Sequence, residues 1–179
     1  LFLSITNQRE TFVIFDTLTG KPIYNAIVWQ CRRGQKICDQ INSSPNNQSL
    51  IKKKTGLILD TYFPAPKLVQ LLKTEKNLRK KLRNGQALFG TIDTYLIYRL
   101  TKQKSYVTDV TNASRTLFFN NKSLTWSKEL LKLYGLNFKK LPEVKESSSI
   151  FGYTNLNKIL KNEIPISGVI GDSQASIFA

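Results

Sequence analysis

A single carboxylate follows an apolar stretch near the end of the sequence, in "GVIGDSQAS". Residues 164–170 predict a buried strand, Gly171 permits a close turn, and Asp172 would then lie at the carboxyl end of that strand. Open α/β sheets bind their ligands at this edge, so Asp172 is a candidate general base. If "SQASIFA" forms a helix, Asp172 is equally a favoured N-cap, a purely structural role. Spacing alone leaves both interpretations open.

The sequence contains no histidine. This excludes triads that depend on histidine, histidine metal sites and a histidine general base. Base chemistry near neutral pH would therefore rely on a carboxylate, with lysine or tyrosine as weaker candidates.

Four other residues lie where a predicted element ends or a loop begins. Arg9 and Glu10 follow the first predicted strand, and a loop there could turn both side chains into one cleft. Together they could donate to and accept from substrate hydroxyl groups, although a surface ion pair is the simpler alternative. Trp29, in "VWQCRR", is typical of a core aromatic or a lid on the core. Tyr62, in "DTYFPAPK", could plug the start of the following helix.

The hydrophobic pattern predicts an α/β chain. Strands are predicted in "LFLSITN", "TFVIFD" and "IPISGVIG". Helices are predicted in "RRGQKICDQ", "PKLVQLLKTEKNLRKKLR", "GTIDTYLIYRLT" and "WSKELLKLYG", with Thr91 as the N-cap of the third and Gly135 closing the fourth. The segment "INSSPNNQS" is interpreted as a loop because Asn, Ser and Pro cluster there. No internal repeat or domain boundary is visible.

Charge and composition limit the class of protein. With 41% hydrophobic residues the chain is globular, and no apolar run is long enough to cross a bilayer. Lysine and arginine number 27 against 12 acids, a net charge of +15, concentrated in "KTEKNLRKKLR". No aromatic residue interrupts that run, so we expect a solvated helix face and no specific nucleic-acid binding. Two cysteines do not make a disulfide framework or a zinc site.

Several motifs occur together in one order. These are "ITNQRE", "GKPIYNAIVWQCRR", "FGTIDTYLIYRLT", "VTDVTNASRTLFFN", "LPEV" and "IPISGVIGDSQAS". In this order and spacing the chain resembles the FGGY family of carbohydrate kinases over nearly its whole length, and within it the glycerol kinases. The resemblance implies an actin-like, ribonuclease H-like ATPase fold, of which residues 1–179 would form part of the N-terminal, substrate-side domain.

The resemblance also implies roles for particular residues. Asp172 would be the catalytic base acting on a hydroxyl of glycerol. Arg9 and Glu10 would bind the hydroxyl groups, Trp29 would form an apolar wall, and Tyr62 would be a further substrate contact. Ser173 stands where the family usually has glutamine, so its shorter side chain is expected to weaken one substrate contact.

The reaction implied is phosphorylation of glycerol to sn-glycerol 3-phosphate by ATP with Mg²⁺, in a cytoplasmic homo-oligomer. The family's phosphate-binding hairpin and its C-terminal nucleotide domain have no counterpart in this sequence, so we expect an excerpt that is inactive alone. Two alternatives stay open. One is another sugar or polyol kinase of the family, and the other is a non-catalytic remnant that serves as a binding module.

Overall fold

Strands and helices are interspersed along the chain, as its mixture of short apolar runs and helical stripes predicts. A computed structural model describes residues 1–178. Within them the helices are α1 (Gln35–Asn42), α2 (Pro45–Thr55), α3 (Pro64–Thr74), α4 (Lys76–Asn84), α5 (Ile92–Leu100), α6 (Val110–Ala113), α7 (Lys128–Leu133) and α8 (Asp172–Phe178). The strands are β1 (Leu3–Asn7), β2 (Phe12–Asp16), β3 (Ala87–Thr91), β4 (Val107–Asp109), β5 (Phe119–Asn120), β6 (Thr125–Trp126), β7 (Glu143–Lys145), β8 (Gly152–Thr154) and β9 (Ile164–Gly171).

The strand pair that matters for function joins the two ends of the chain. β1 runs parallel to β9, with Asn7 opposite Gly171, and β8 lies antiparallel on the other side of β9. The remaining pairs are β2 with β3, β4 with β7 and β5 with β6. Because parallel strands end at the same edge, the segments after β1 and β9 emerge side by side.

The main core packs α1 to α4 and α7 against β2 and β3. The predicted leucine stripe is confirmed, since all its members are buried: Leu68, Leu71, Leu72, Leu78 and Leu82. Burial of one such side chain contributes about 1.5–3 kcal/mol, so this stripe is a main reason that α3 and α4 stay on the sheet.

The prediction of one continuous helix over this stripe was wrong. Glu75, with φ −100° and ψ 72°, separates α3 from α4. The residue is neither glycine nor proline, so the sequence gives no strong breaking signal. The carbonyl of Leu71 accepts both from the hydroxyl of Thr74 at 2.9 Å and from the N–H of Glu75 at 2.8 Å, which is the last helical hydrogen bond of α3.

The segment interpreted as a loop, "INSSPNNQS", also differs from its prediction, because most of it belongs to α2. Pro45 occupies the first helical position, where a missing N–H has no cost, and Ser44 precedes it in an extended conformation. Gly56 ends the helix with φ +72°. Residues typical of loops here mark the start of a helix.

The other predicted helices are confirmed in position. Thr91 precedes α5 but its hydroxyl caps no backbone N–H; it lies 3.4 Å from the hydroxyls of Thr94 and Thr108 instead. α7 is capped by Ser127, and Gly135 follows it with φ +62°. The helix predicted in "SQASIFA" is α8, although Ala179 lies outside the described residues.

Candidate active site

The parallel pairing of β1 and β9 brings Arg9 to Asp172. Nε of Arg9 lies 3.5 Å from Oδ1 of Asp172, and Nη2 of Arg9 donates to Oγ of Ser173 at 2.7 Å. The Asp172 side chain is 53% exposed, whereas that of Arg9 is 11% exposed. A solvent-accessible carboxylate therefore lies at the carboxyl edge of the sheet, beside a largely buried guanidinium group.

Asp172 does not have the geometry of an N-cap. It is the first residue of α8, and its Oδ1 accepts from the N–H of Ser173 at 2.8 Å. A capping side chain would instead accept from an N–H two or three residues further on. The structural alternative for Asp172 thus lacks its characteristic hydrogen bond, and the carboxylate stays available to a ligand.

Two polar atoms beside Gly171 are buried without a hydrogen bond among the described residues. They are Nε of Arg9 and Oε1 of Gln174. A Cβ on Gly171 would clash with Cδ of Arg9 and lie 3.0 Å from Oε1 of Gln174, so both groups surround this glycine. Buried polar atoms are nearly always paired, which makes this strand end a place where a polar ligand or water is expected. Gln174 was not predicted as a site residue.

A tight turn points the side chains of Arg9 and Glu10 in different directions. The N–H of Thr11 donates to the carbonyl of Arg9 at 2.7 Å, and Glu10 between them has φ +60°. This three-residue turn has the φ of a γ-turn, a strained conformation for a residue that is not glycine. The loop after β1 therefore presents the two neighbouring side chains to different partners, Arg9 to Asp172 and Glu10 to Arg115.

Glu10 is held by an arginine that the sequence did not indicate. Its side chain is 2% exposed, and its Oε1 accepts from Nε of Arg115 at 2.6 Å. The Arg115 guanidinium lies 4.8 Å from the ring centroid of Phe63 and 5.8 Å from that of Tyr62. Arg115 thus neutralises the buried carboxylate and connects it to the aromatic residues before α3.

Trp29 and Tyr62 form an aromatic pair with ring centroids 5.5 Å apart. The N–H of Trp29 donates to the hydroxyl of Thr11 at 3.1 Å, which ties this loop to the turn around Glu10. The N–H of Tyr62 donates to Oδ1 of Asp60 at 2.7 Å, which fixes its position just before α3. A cavity of about 290 Å³ lies against both rings.

Charged residues of the candidate site act on the phenol of Tyr62. Burial is the main cause that raises the pKa of its phenol. The charges of Glu10, Arg115, Arg9 and Asp172 act on it as well, the two carboxylates raising that pKa and the two guanidinium groups lowering it. All of these charged groups are therefore close enough to influence one phenol, although they come from widely separated parts of the chain.

A buried polar network lies behind the Asp172 strand end. The N–H of Gly171 donates to Oγ1 of Thr111 at 2.8 Å, and this hydroxyl donates to Oδ2 of Asp109 at 2.6 Å. Asp109 also accepts from Asn112 and Ser147, and Asn112 pairs with Asn7 at the end of β1. These bonds fix the ends of β1 and β9 relative to α6, and so position Asp172 through the backbone.

Lys67 is the second basic residue at the site whose contacts were not predicted. It is completely buried, and its ammonium contacts the segments that carry Glu10, Trp29 and Tyr62. The sequence did indicate that Lys67 is buried, because Lys67 lies four residues before Leu71, on the buried stripe of α3. Arg115 had no comparable periodic signal.

A larger cavity, of about 570 Å³, lies along β1 and β9 between Ser4 and Ile170 and is mostly apolar. It contains no charged side chain, so the cluster around Asp172 is the better candidate for chemistry. No three His, Cys, Asp or Glu side chains within residues 1–178 converge to hold a metal ion. In the same part of the chain, every helix is too short or too polar to span a bilayer.

Comparisons with known proteins bear on the family of this chain. Residues 1–179 match the family described as the FGGY family of carbohydrate kinases, N-terminal domain. The chain is 47% identical to a glycerol kinase of Fusobacterium nucleatum and 48% identical to one of Francisella philomiragia. Each alignment covers 98% of this chain and 35% of the relative, so the chain spans about a third of the length of these curated relatives.

The structure resembles that of Plasmodium falciparum glycerol kinase with ADP. The TM-score is 0.90 at 41% sequence identity, over 98% of this chain and 35% of that one. The predicted α/β, actin-like fold is therefore confirmed. Together with the match along the whole sequence, this establishes that the chain belongs to the FGGY family of carbohydrate kinases, in its N-terminal domain.

Proposed function

We propose that the protein containing this chain phosphorylates glycerol to sn-glycerol 3-phosphate, with ATP as the phosphoryl donor. The observation that carries the proposal is the exposed carboxylate of Asp172, next to Arg9 at the edge formed by β1 and β9. Relatives that are 47% and 48% identical to this chain bear the name glycerol kinase, which favours glycerol over other acceptors.

In this proposal Asp172 orients the attacking hydroxyl of glycerol and accepts its proton. A carboxylate suits this task because proton transfer can occur late when the phosphoryl transition state is loose. Arg9 keeps the carboxylate in place from 3.5 Å, and α8 fixes it through the bond from Ser173. The contribution of the chain is therefore alignment and proton acceptance.

The other side chains bind the polyol. Arg9 has guanidinium N–H groups beyond those that face Asp172 and Ser173, and Glu10 has a second carboxylate oxygen besides the one that accepts from Arg115. The pair can therefore donate to and accept from hydroxyl groups. The Trp29 and Tyr62 rings offer an apolar wall for the carbon chain. Ser173 is engaged by Arg9, so its hydroxyl is expected to assist only weakly.

ATP with Mg²⁺ would supply the γ-phosphoryl group and the charge that stabilises its transfer. We infer that the nucleotide binds mostly to parts of the protein outside this chain, on a phosphate-binding hairpin and a C-terminal domain. The chain alone is then inactive, and the whole protein is a cytoplasmic homo-oligomer. Assays of ATP binding and of glycerol 3-phosphate formation by the 179-residue chain test the inactivity directly, and turnover at an ordinary kinase rate would refute it.

Another sugar or polyol kinase of the family is the main alternative. Relative rates on glycerol, erythritol and pentoses decide between them, and a preference for a pentose would reject the proposal. A non-catalytic binding module is the second alternative. It fails if the reading frame around this chain encodes the hairpin and the second domain.

The decisive experiment replaces Asp172 by asparagine in the protein expressed from the whole reading frame. The amide keeps the size of the side chain but cannot accept the proton. We expect turnover to fall roughly 10²–10⁴-fold while glycerol affinity changes less. Asp39→Asn is the matched control, since Asp39 is an exposed acid on α1. Near-parental turnover of Asp172→Asn would show that Asp172 is not the base.

A further inference from the structure

Lys67 carries a positive charge where the chain has no solvent to stabilise it. Its side chain is completely buried in the first turns of α3. Nζ lies within hydrogen-bond distance of four backbone carbonyl oxygens, those of Glu10 (3.2 Å), Val28 (3.0 Å), Trp29 (3.4 Å) and Tyr62 (2.9 Å). An ammonium has three donors, so the four oxygens share them.

The four carbonyls belong to three separate segments of irregular backbone. One is the turn around Glu10, the second is the loop ending at Trp29, and the third is the approach to α3 at Tyr62. No carboxylate within residues 1–178 forms an ion pair with Lys67. A buried charge without an ion pair is costly unless it is fully hydrogen-bonded, so the carbonyl cluster is what stabilises this one.

The turn around Glu10 has particular need of such support. With φ +60°, Glu10 occupies a conformation that persists only when surrounding contacts enforce it. Arg115 holds the side chain of Glu10 and Lys67 holds its carbonyl oxygen. The two cations therefore fix both the side chain and the backbone of Glu10.

We propose that Lys67 is a positioning residue for substrate binding: its ammonium holds Glu10, Trp29 and Tyr62 in one arrangement by binding the backbone of all three. The identity of the substrate in this inference rests on the proposed function, whereas the contacts between Lys67 and the three backbone segments do not. Lys67 itself is buried and does not contact substrate.

The structure separates this role from the chemical step. Asp172 is positioned through the backbone by Gly171, Thr111 and Asp109 and at its carboxylate by Arg9, and none of these groups is hydrogen-bonded to Lys67 within the described residues. Loss of Lys67 should therefore weaken the binding of the polyol far more than the transfer step, which depends on Asp172.

The first test compares Lys67→Met with Lys73→Met in the protein expressed from the whole reading frame. Lys73 lies on the same helix but is exposed, so its substitution removes the same charge without touching the loops. We expect KM for glycerol to rise roughly 10- to 100-fold in Lys67→Met, which is the effect of losing one or two hydrogen bonds to a charged group. We expect kcat to change less than about fivefold, and Lys73→Met to match the parent. A folded Lys67→Met with unchanged KM, or with a loss confined to kcat, would overturn the proposal.

The second test needs no activity and leaves Lys67 in place. Burial lowers the pKa of Lys67 to about 8, with Cys31 and Glu10 raising it and Arg33 lowering it. Raising the pH through 8 removes one donor from the cluster, so the Trp29 environment should change. Fluorescence of Trp29, recorded in a Trp126→Phe background between pH 6.5 and 9.5, should show a transition near pH 8.

Because Arg33 lowers the pKa of the neighbouring Cys31 thiol against the effect of burial, Cys31→Ser is the necessary control and should retain the transition. A flat titration, or one abolished by Cys31→Ser, would reject the role of Lys67. If the parent prefers a pentose to glycerol, the proposed function fails. The KM comparison is then made with that pentose and still decides the inference.

Discussion

Asp93 is an acid buried in the first turn of α5 with one oxygen unpaired. Its side chain has no exposed surface. Oδ2 accepts from the hydroxyl of Thr108 at 2.6 Å and from the N–H of Asp109 at 3.4 Å, whereas Oδ1 has no partner within residues 1–178. An unpaired buried carboxylate oxygen favours the protonated acid. Asp93 should therefore make folding sensitive to pH.

Burial and then the charge of Asp109 raise the pKa of Asp93 to about 6 from its ordinary 3.8, against the hydrogen bonds from Thr108 and Thr91. Because the pKa of the folded state is higher, the stability contributed by the protonated group is fully present below pH 3.8. It is lost as the pH rises through about 6. At 1.36 kcal/mol per pKa unit the loss is about 3 kcal/mol, most of it between pH 4 and pH 8.

Urea unfolding of the parent and of Asp93→Asn at pH 4 and pH 8 measures this loss, since the amide imitates the neutral acid. We expect the parent to become less stable relative to the variant by about 2–3 kcal/mol between the two pH values. Glu163→Gln removes an exposed acid and should follow the parent. The reasoning is refuted if the difference between parent and Asp93→Asn is the same at both pH values.

In Gly171→Ala the new methyl would clash with Cδ of Arg9, so we expect Arg9 to leave Asp172 and steady-state kcat/KM to fall at least tenfold; an unchanged kcat/KM would contradict this. Arg115→Lys loses the Nε hydrogen bond to Glu10, and KM for glycerol should rise roughly tenfold; an unaltered KM would exclude a role for this pair. The basic chain should bind DNA or RNA only weakly, without sequence preference and less at high salt; tight binding in a filter assay at raised salt would disprove this.

The elements that could be predicted from the sequence are those with an unambiguous hydrophobic pattern. β2 and β9 are short apolar runs, and α3 carries a stripe of leucines. The secondary-structure predictions failed where a residue type is compatible with two different structures. Pro45 after Ser44 is typical of a loop and also of the first turn of a helix, and Glu75 interrupts a helix although its type permits one.

The candidate site was predictable only in part. Arg9 and Asp172 each follow a predicted strand, and parallel strands bring such ends to one edge of a sheet. The contact of Arg115 with Glu10 joins residues 105 positions apart, and that of Lys67 with Glu10 joins residues 57 apart. Periodicity indicates only that Lys67 is buried. Neither contact follows from it, because both depend on how loops pack after the sheet and helices have formed.

The buried ammonium of Lys67 is best understood from the backbone that it contacts. A methionine could fill the same space without the cost of desolvating a charge. However, the carbonyls of Glu10, Trp29 and Tyr62 lie on irregular segments, so no strand ladder or helix provides them with N–H partners. A single ammonium supplies three donors at the one point where these segments meet. The irregular backbone that gives Glu10 its direction therefore requires a buried cation, and Lys67 provides it.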